Sequence, residues 1–205
     1  GRAVLNGDDD KLAAVCEVNG EKPLFFGMDT QSEVWADEVE NHGLAGTQCR
    51  IHLEGEAFSV RIPIPGEHMV SNALAAAAVA KCYGLSAEEI RKGIEGLEAI
   101  SGRMHMVKSG ALTVIDDCYN ANPVSMKASL DVLKHTQGRT VAILGDMGEL
   151  GADEIRLHQE VGACAASAGV DLCICVGRLS QYMAKAARQE NPELEVLHLE
   201  RLEEL

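Results

Sequence analysis

The chain has 205 residues, 46% of them hydrophobic, with 32 acids against 18 bases and a formal charge of -14. That composition supports a folded chain of one large or two small domains, and its acidity disfavours nucleic acid or an anionic membrane as the main partner, because both select for basic patches. No apolar run approaches the roughly 20 residues of a membrane helix and no signal peptide opens the sequence, so no membrane insertion is expected and the protein is placed in the cytoplasm.

Seven cysteines are scattered through the chain, and only Cys173 and Cys175 are close together. No histidine or further cysteine falls at zinc-like spacing, so no metal site is expected and the thiols read as core packing in a reducing compartment. The sequence opens at Gly1, with Val4 and Leu5 already resembling strand interior, and it ends just after a strand signal at residues 195–199. It is therefore expected to be a piece of a longer chain.

In chain order, residues 8–18 predict a short helix opened by acids at its positive end, with Asn6, Asp8 and Asp9 as capping candidates. Residues 48–53 and 58–64 predict the two strands of a hairpin around Glu54, Gly55 and Glu56, stopped by Pro63, Pro65 and Gly66. An alanine-rich helix is predicted over residues 68–83, closed by Gly84, and a second over residues 86–97, where Ser86 and Glu89 form a capping box. From about residue 101 the pattern becomes regular. Strands are predicted near 104–108, 111–115, 140–144, 172–176 and 195–199, with helices over 123–135, 153–168 and 179–189. Such βα units predict an α/β fold with a mostly parallel, Rossmann-like sheet, right-handed crossovers and helices on both faces. The preceding part mixes antiparallel strands and helices. The domain boundary is expected near residue 100, giving domains 1–100 and 101–205.

Four segments concentrate polar chemistry. His68 and Asn72 are four apart at the start of the alanine-rich helix, where unpaired amides and the helix dipole suit a nucleotide; alternatively both only satisfy helix-end hydrogen bonds. Arg103, at the junction, can clamp phosphate or stack on a base, or can be simply solvated. Asp116, Asp117, Cys118, Tyr119 and Asn120 follow what reads as a buried strand, in the position where open α/β sheets bind ligands. Adjacent strand residues point oppositely, so one aspartate of the pair is expected to face a ligand. Asn122 before Pro123 reads as a helix cap. The loop from Gly145 to Gly151, with Asp146, Met147 and Glu149, is too acidic to cradle phosphate; its carboxylates suit an ammonium group, or they complement a helix dipole. His42, His52, His105, His135, His158 and His198 form no pattern. There is no G-x-x-x-x-G-K-[ST] phosphate loop and no nucleophile elbow.

Taken in order and spacing, IPIPGEHMVSNALAAAAVA, SGRM, IDDCYNANPVSM and ILGDMGELG resemble the ATP-dependent Mur ligases of bacterial cell-wall synthesis, in the branch that joins D-alanyl-D-alanine to UDP-N-acetylmuramoyl-tripeptide. The resemblance runs over essentially the whole chain. It implies an ATP-dependent amide ligase that works through an acyl phosphate, with residues 1–100 as the second half of a central ATPase domain and residues 101–205 as most of a C-terminal Rossmann-like domain. The cofactors implied are ATP and Mg2+, with the phosphate loop and metal ligands upstream of Gly1, so that these 205 residues alone are expected to be inactive. By the same resemblance, Asn72 meets adenine and His68 shares its motif. Arg103 is a catalytic residue at the nucleotide, and Asp116 or Asp117 binds the ribose, with Tyr119 and Asn120 beside it. Asp146, Met147 and Glu149 face the dipeptide. Met69 departs from the asparagine usual after that histidine. Closure about a hinge near residues 100–102 is expected to bring Arg103 to the nucleotide.

Overall fold

The computed structural model describes residues 1–29 and 31–204, and the chain divides into two compact units, Gly1–Glu98 and Ala99–Leu205. The first unit is built on a five-stranded sheet of β1 (Val4–Asn6), β2 (Leu24–Gly27), β3 (Val34–Asn41), β4 (Thr47–Leu53) and β5 (Glu56–Ile62), lying side by side in that order. The β1–β2 and β2–β3 pairs are parallel, whereas β3–β4 and β4–β5 are antiparallel. Along β4 the residues Thr47, Cys49, Ile51 and Leu53 are buried and alternate with more exposed Gln48, Arg50 and His52, the period-two pattern that pins a strand's register.

The expected hairpin is present, with a tighter turn. Glu54 and Gly55 both have positive φ (30° and 92°), and Leu53 pairs with Glu56, so Glu56 belongs to the strand. The helix expected over residues 8–18 shrinks to α1 (Asp10–Ala13), capped by the Asp9 carboxylate, because Asn19 and Gly20 adopt positive φ and turn the chain so that Val18 bridges Glu21. Sequence periodicity missed β2 and β3. In β3 the alternation begins with Val34 and Ala36 inside and is then broken by a bulge between Asp37 and Glu40, with Glu38 at φ 50°.

Against one face of this sheet lies α2 (His68–Cys82), which buries Val70, Ala73, Leu74, Ala77 and Ala78, a stripe at helical spacing. It is followed by α3 (Ala87–Glu95), whose capping box is formed in both directions: the Ser86 amide donates to the Glu89 carboxylate at 2.9 Å, and the Glu89 amide donates back to the Ser86 hydroxyl.

The second unit begins with a separate antiparallel hairpin, β6 (His105–Ser109) and β7 (Leu112–Asp116). There follow α4 (Pro123–Lys134), β8 (Val141–Gly145), α5 (Glu154–Ser167), β9 (Leu172–Val176), α6 (Ser180–Glu190) and β10 (Glu195–Leu199). The three later strands form a parallel sheet in the order β10-β9-β8, as alternating βα units dictate. Two expectations change. β7 is not a buried member of that sheet: it pairs with β6, and its Leu112 and Val114 are exposed. The helices also cover one face only among the described residues. Leu130 of α4, Val161 and Ala165 of α5, and Met183, Ala184 and Ala187 of α6 pack on Ala142, Leu144, Cys173, Cys175 and Val196, whereas Val141, Ile143 and Leu197 on the opposite face stay exposed.

The contact of α5 with α6 rests on one glycine. A Cβ on Gly162 would sit 2.1 Å from the Met183 carbonyl oxygen, so α5 approaches α6 at a distance that only glycine permits. Cys173 and Cys175 are fully buried side by side in this core, as packing residues. Among the described residues no helix is long and apolar enough to cross a membrane.

Candidate functional site

The four polar segments fall in both units. In the first, Gly66 (φ 108°) turns the chain into α2, and Glu67 stands at the N-cap without capping the helix by its side chain, while Asn41 donates to its carboxylate at 3.4 Å. The first-turn amides of α2 therefore have no side-chain cap from Glu67, and His68 and Asn72 are exposed one turn apart. The Asn72 amide donates to the Met69 sulfur at 3.4 Å, a weak acceptor and hence an easily surrendered partner. Met69 thus sits against Asn72.

In the second unit, the segment 101–104 is fastened to the end of β7 and the loop after it by a set of hydrogen bonds. The Gly102 amide donates to one Asp116 oxygen at 2.9 Å, the Ser101 hydroxyl to the same oxygen at 3.4 Å, and the Cys118 thiol to the other at 3.0 Å. These donors, the thiol first and the Gly102 amide next, hold the Asp116 carboxyl below the usual aspartate range, while the carboxylate in turn raises the Cys118 thiol. Asp117 points the other way, as strand geometry requires. Its oxygens accept the Met104 amide at 3.0 Å and the Ser129 hydroxyl of α4. Both aspartates therefore organise the backbone, each on a different neighbour.

Gly102 has φ 79° and its carbonyl accepts the Tyr119 amide at 3.0 Å; a Cβ there would press on Tyr119 at 3.1 Å. Directly above, the Arg103 guanidinium lies 4.4 Å from the centre of the Tyr119 ring, and both side chains face solvent. The result is an ordered cation on an aromatic plate, able to meet a phosphate at its edge and a flat ring on its face. Asn120 accepts its neighbour's amide from Ala121. Asn122 caps α4, accepting the amides of Val124 and Ser125 at 3.0 and 2.9 Å ahead of Pro123.

The acidic loop after β8 divides its residues sharply. Asp146 accepts the Ser180 amide at 2.6 Å, so it caps α6, and Gly177 (φ 122°) has no room for a Cβ because Asp146 would be 2.5 Å away. Met147 is only 1% exposed and belongs to the core. Glu149, at φ 58°, is exposed and carries its carboxylate outward. The Met147 amide donates to Nε2 of His158 at 3.0 Å, and Nδ1 of that ring lies 2.6 Å from the Glu154 carbonyl oxygen. His158 is fully buried. It was passed over in the sequence for want of a pattern, yet it lies on the stripe His158, Val161, Gly162, Ala165 and Ala166 that α5 buries. A histidine at helical spacing among small apolar residues, seven positions after a glycine-rich loop, was the available signal.

Among the described residues no group of three or more histidine, cysteine or acidic side chains is arranged to hold a metal ion, and all seven cysteines are free. Within the second unit, the Arg103 guanidinium over the Tyr119 ring offers donors to an anion and a face to a flat ring.

Comparison with known proteins gives a consistent family. Residues 102–205 match the Mur ligase glutamate ligase domain, and residues 1–80 the Mur ligase middle domain. The UDP-N-acetylmuramoyl-tripeptide–D-alanyl-D-alanine ligase of Mycobacterium tuberculosis H37Rv is 36% identical over 185 residues, which are 86% of this chain and 36% of that protein. The enzyme of the same name from Escherichia coli K12 is 36% identical over 192 residues, 91% of this chain and 42% of its own length. A crystal structure of MurF from Acinetobacter baumannii superposes with a TM-score of 0.85 at 32% identity, covering 98% of this chain and 42% of that one. The chain thus spans less than half the length of these relatives.

Proposed function

The chain belongs to the Mur ligase family, and from that premise we propose that it works in an ATP-dependent amide ligase of peptidoglycan precursor synthesis, joining D-alanyl-D-alanine to UDP-N-acetylmuramoyl-tripeptide. Residues 1–100 are read as the second half of the central ATPase domain and residues 101–205 as most of the C-terminal, amine-receiving domain. ATP supplies the phosphoryl group that turns the tripeptide carboxylate into an acyl phosphate, which the dipeptide amine then attacks. The observation that carries this reading is the Arg103–Tyr119 plate, held in shape by hydrogen bonds from residues 101–104 to Asp116 and Asp117.

In this reaction the protein chiefly positions groups and offsets charge. Asn72, with His68 in the same helix start, is assigned to the adenine. One of Asp116 and Asp117, with Tyr119 and Asn120, is assigned to the ribose edge. Arg103 offsets charge that develops on the transferred phosphoryl group, because a planar guanidinium offers two parallel donors to phosphate oxygens. The loop with Asp146, Met147 and Glu149 is assigned to the dipeptide. Glu149 supplies the outward carboxylate for its ammonium group, and Asp146 and Met147 hold the loop in place. Mg2+ is assigned to ligands outside these residues.

The test is phosphate release by the full-length gene product with ATP and UDP-N-acetylmuramoyl-tripeptide. Release is expected with D-alanyl-D-alanine and not with single amino acids; release with a single amino acid instead would reassign the amine. The 205 residues contain no glycine-lysine-threonine phosphate loop, so alone they are expected to hydrolyse no ATP. Measurable turnover by them would overturn the domain assignment.

A further inference from the structure

The Gly145–Gly151 loop is glycine-rich, with positive φ at Glu149 and Gly151, and such a segment has no intrinsic reason to keep one shape. Its middle is anchored by Asp146 on the Ser180 amide, by the Met147 side chain in the core, and, for its backbone, by the Met147 amide on the His158 ring. A backbone N–H can only donate, so Nε2 must carry a lone pair; a carbonyl can only accept, so Nδ1 must carry the proton toward Glu154. The two contacts together fix one neutral tautomer of a fully buried ring. Few side chains other than this neutral tautomer can accept from Met147 and donate to Glu154 from the same helical position.

We propose that His158 is the positioning residue of the amine-acceptor site: its Nε2 holds the Met147 amide and so sets the shape in which the loop presents Glu149 to the incoming ammonium group. The proposal rests on the assignment of this loop to the dipeptide made above. His158 touches no substrate. It acts through Met147, and removing it leaves a buried amide without an acceptor, at a cost that favours a shift of the loop backbone between its anchors at Asp146 and the Met147 side chain.

The experiment uses the full-length ligase with His158→Leu, which keeps bulk and loses both hydrogen bonds, and His158→Gln, which restores an acceptor near Nε2. For His158→Leu the KM for D-alanyl-D-alanine is expected to rise roughly tenfold, the equivalent of one lost hydrogen bond to a buried group, while the KM for ATP moves less than about twofold. In His158→Gln most of the dipeptide KM is expected to return. A merely structural residue would lower stability without this split between substrates or this rescue. Amide hydrogen exchange supplies a reading that needs no variant: the Met147 amide of the unaltered enzyme is expected to be among the slowly exchanging ones, and rapid exchange there overturns the proposal. If His158→Leu speeds Met147 exchange but leaves the dipeptide KM unchanged, the positioning role in ligation is also overturned. The fault then lies in assigning the loop to the amine, since the anchor itself will have been shown.

Discussion

The guanidinium of Arg103 lies 4.4 Å above the ring of Tyr119, while the Tyr119 amide is bonded to the carbonyl of Gly102 next door. Side chain and backbone thus lock the same pair of segments together, and the arginine is ordered before any anion arrives. Preordering favours rate over ground-state binding, because the donors meet developing charge without reorganising. In the full-length ligase, Arg103→Ala is therefore expected to lower kcat by about a hundredfold or more, with the KM for the tripeptide nearly unchanged. Arg103→Lys should recover little, since an ammonium group neither stacks on the ring nor offers two parallel donors. Equal losses in rate and tripeptide affinity would contradict the assignment.

Asp117 gives a stability prediction in the same loop. Its two oxygens hold the amide of Met104, a residue only 5% exposed with φ 49°, and the hydroxyl of Ser129 on α4. Asp117→Ala strands the Met104 amide, while the Ser129 hydroxyl keeps the Ser125 carbonyl as an acceptor at 3.0 Å, and a buried donor left unpaired costs about 1–3 kcal/mol. Ser129→Ala removes one partner and leaves the amide bond intact, so its cost should be smaller. Denaturant midpoints of the two variants, compared with the parent, check the order.

Asp116 carries the pH dependence of the junction. Its pKa is lowered by the Cys118 thiol first and the Gly102 amide next. A carboxyl whose folded-state pKa lies below its unfolded value contributes stability that is fully present above the unfolded value, near 4, and is lost as pH falls through the lower folded value. The contact between residues 101–102 and Asp116 should therefore hold through neutral and mildly acidic pH and loosen only below about pH 4. The Gly102 amide resonance, followed by NMR, should titrate with a midpoint below that of an ordinary aspartate. In Asp116→Asn the titration should vanish. A midpoint at or above the ordinary value would show that the hydrogen bonds do not favour the charged form.

The sequence disclosed these features unevenly, for physical reasons. Ser86 with Glu89 and Asn122 with Pro123 were readable because a cap is a contact between residues three or fewer positions apart. The β4–β5 hairpin was readable because one face of each strand is buried and the alternation survives. β3 was not, because its bulge shifts the pattern midway. β7 was misread because Leu112, Val114 and Ile115 are apolar, and apolarity alone does not separate a central strand from an exposed hairpin. At the candidate site, residue types near strand ends marked the loops. What each carboxylate does depended on partners 12 to 34 positions away, such as Ser129 for Asp117, Gly102 for Asp116 and Ser180 for Asp146. His158 was hidden for the same reason: its partner Met147 belongs to another element.

The contact of α5 with α6 makes a prediction in which two glycines should respond with opposite sign. At Gly162 the added methyl of alanine would lie 2.1 Å from the Met183 carbonyl oxygen, a backbone atom of α6 that cannot swing aside. The helices must then move apart, loosening Ala165, Ala184 and Ala187, which are buried in the same core. Overpacking of this kind costs about 1–3 kcal/mol and more where backbone blocks relaxation. At Gly93, inside α3, nothing lies within 4 Å of the position a Cβ would take. Gly93→Ala should therefore stabilise by about 0.5–1 kcal/mol, because alanine loses less conformational freedom on entering a helix. Thermal unfolding of the two variants checks both signs. A neutral Gly162→Ala would mean that the close approach of α5 to α6 is not fixed by packing.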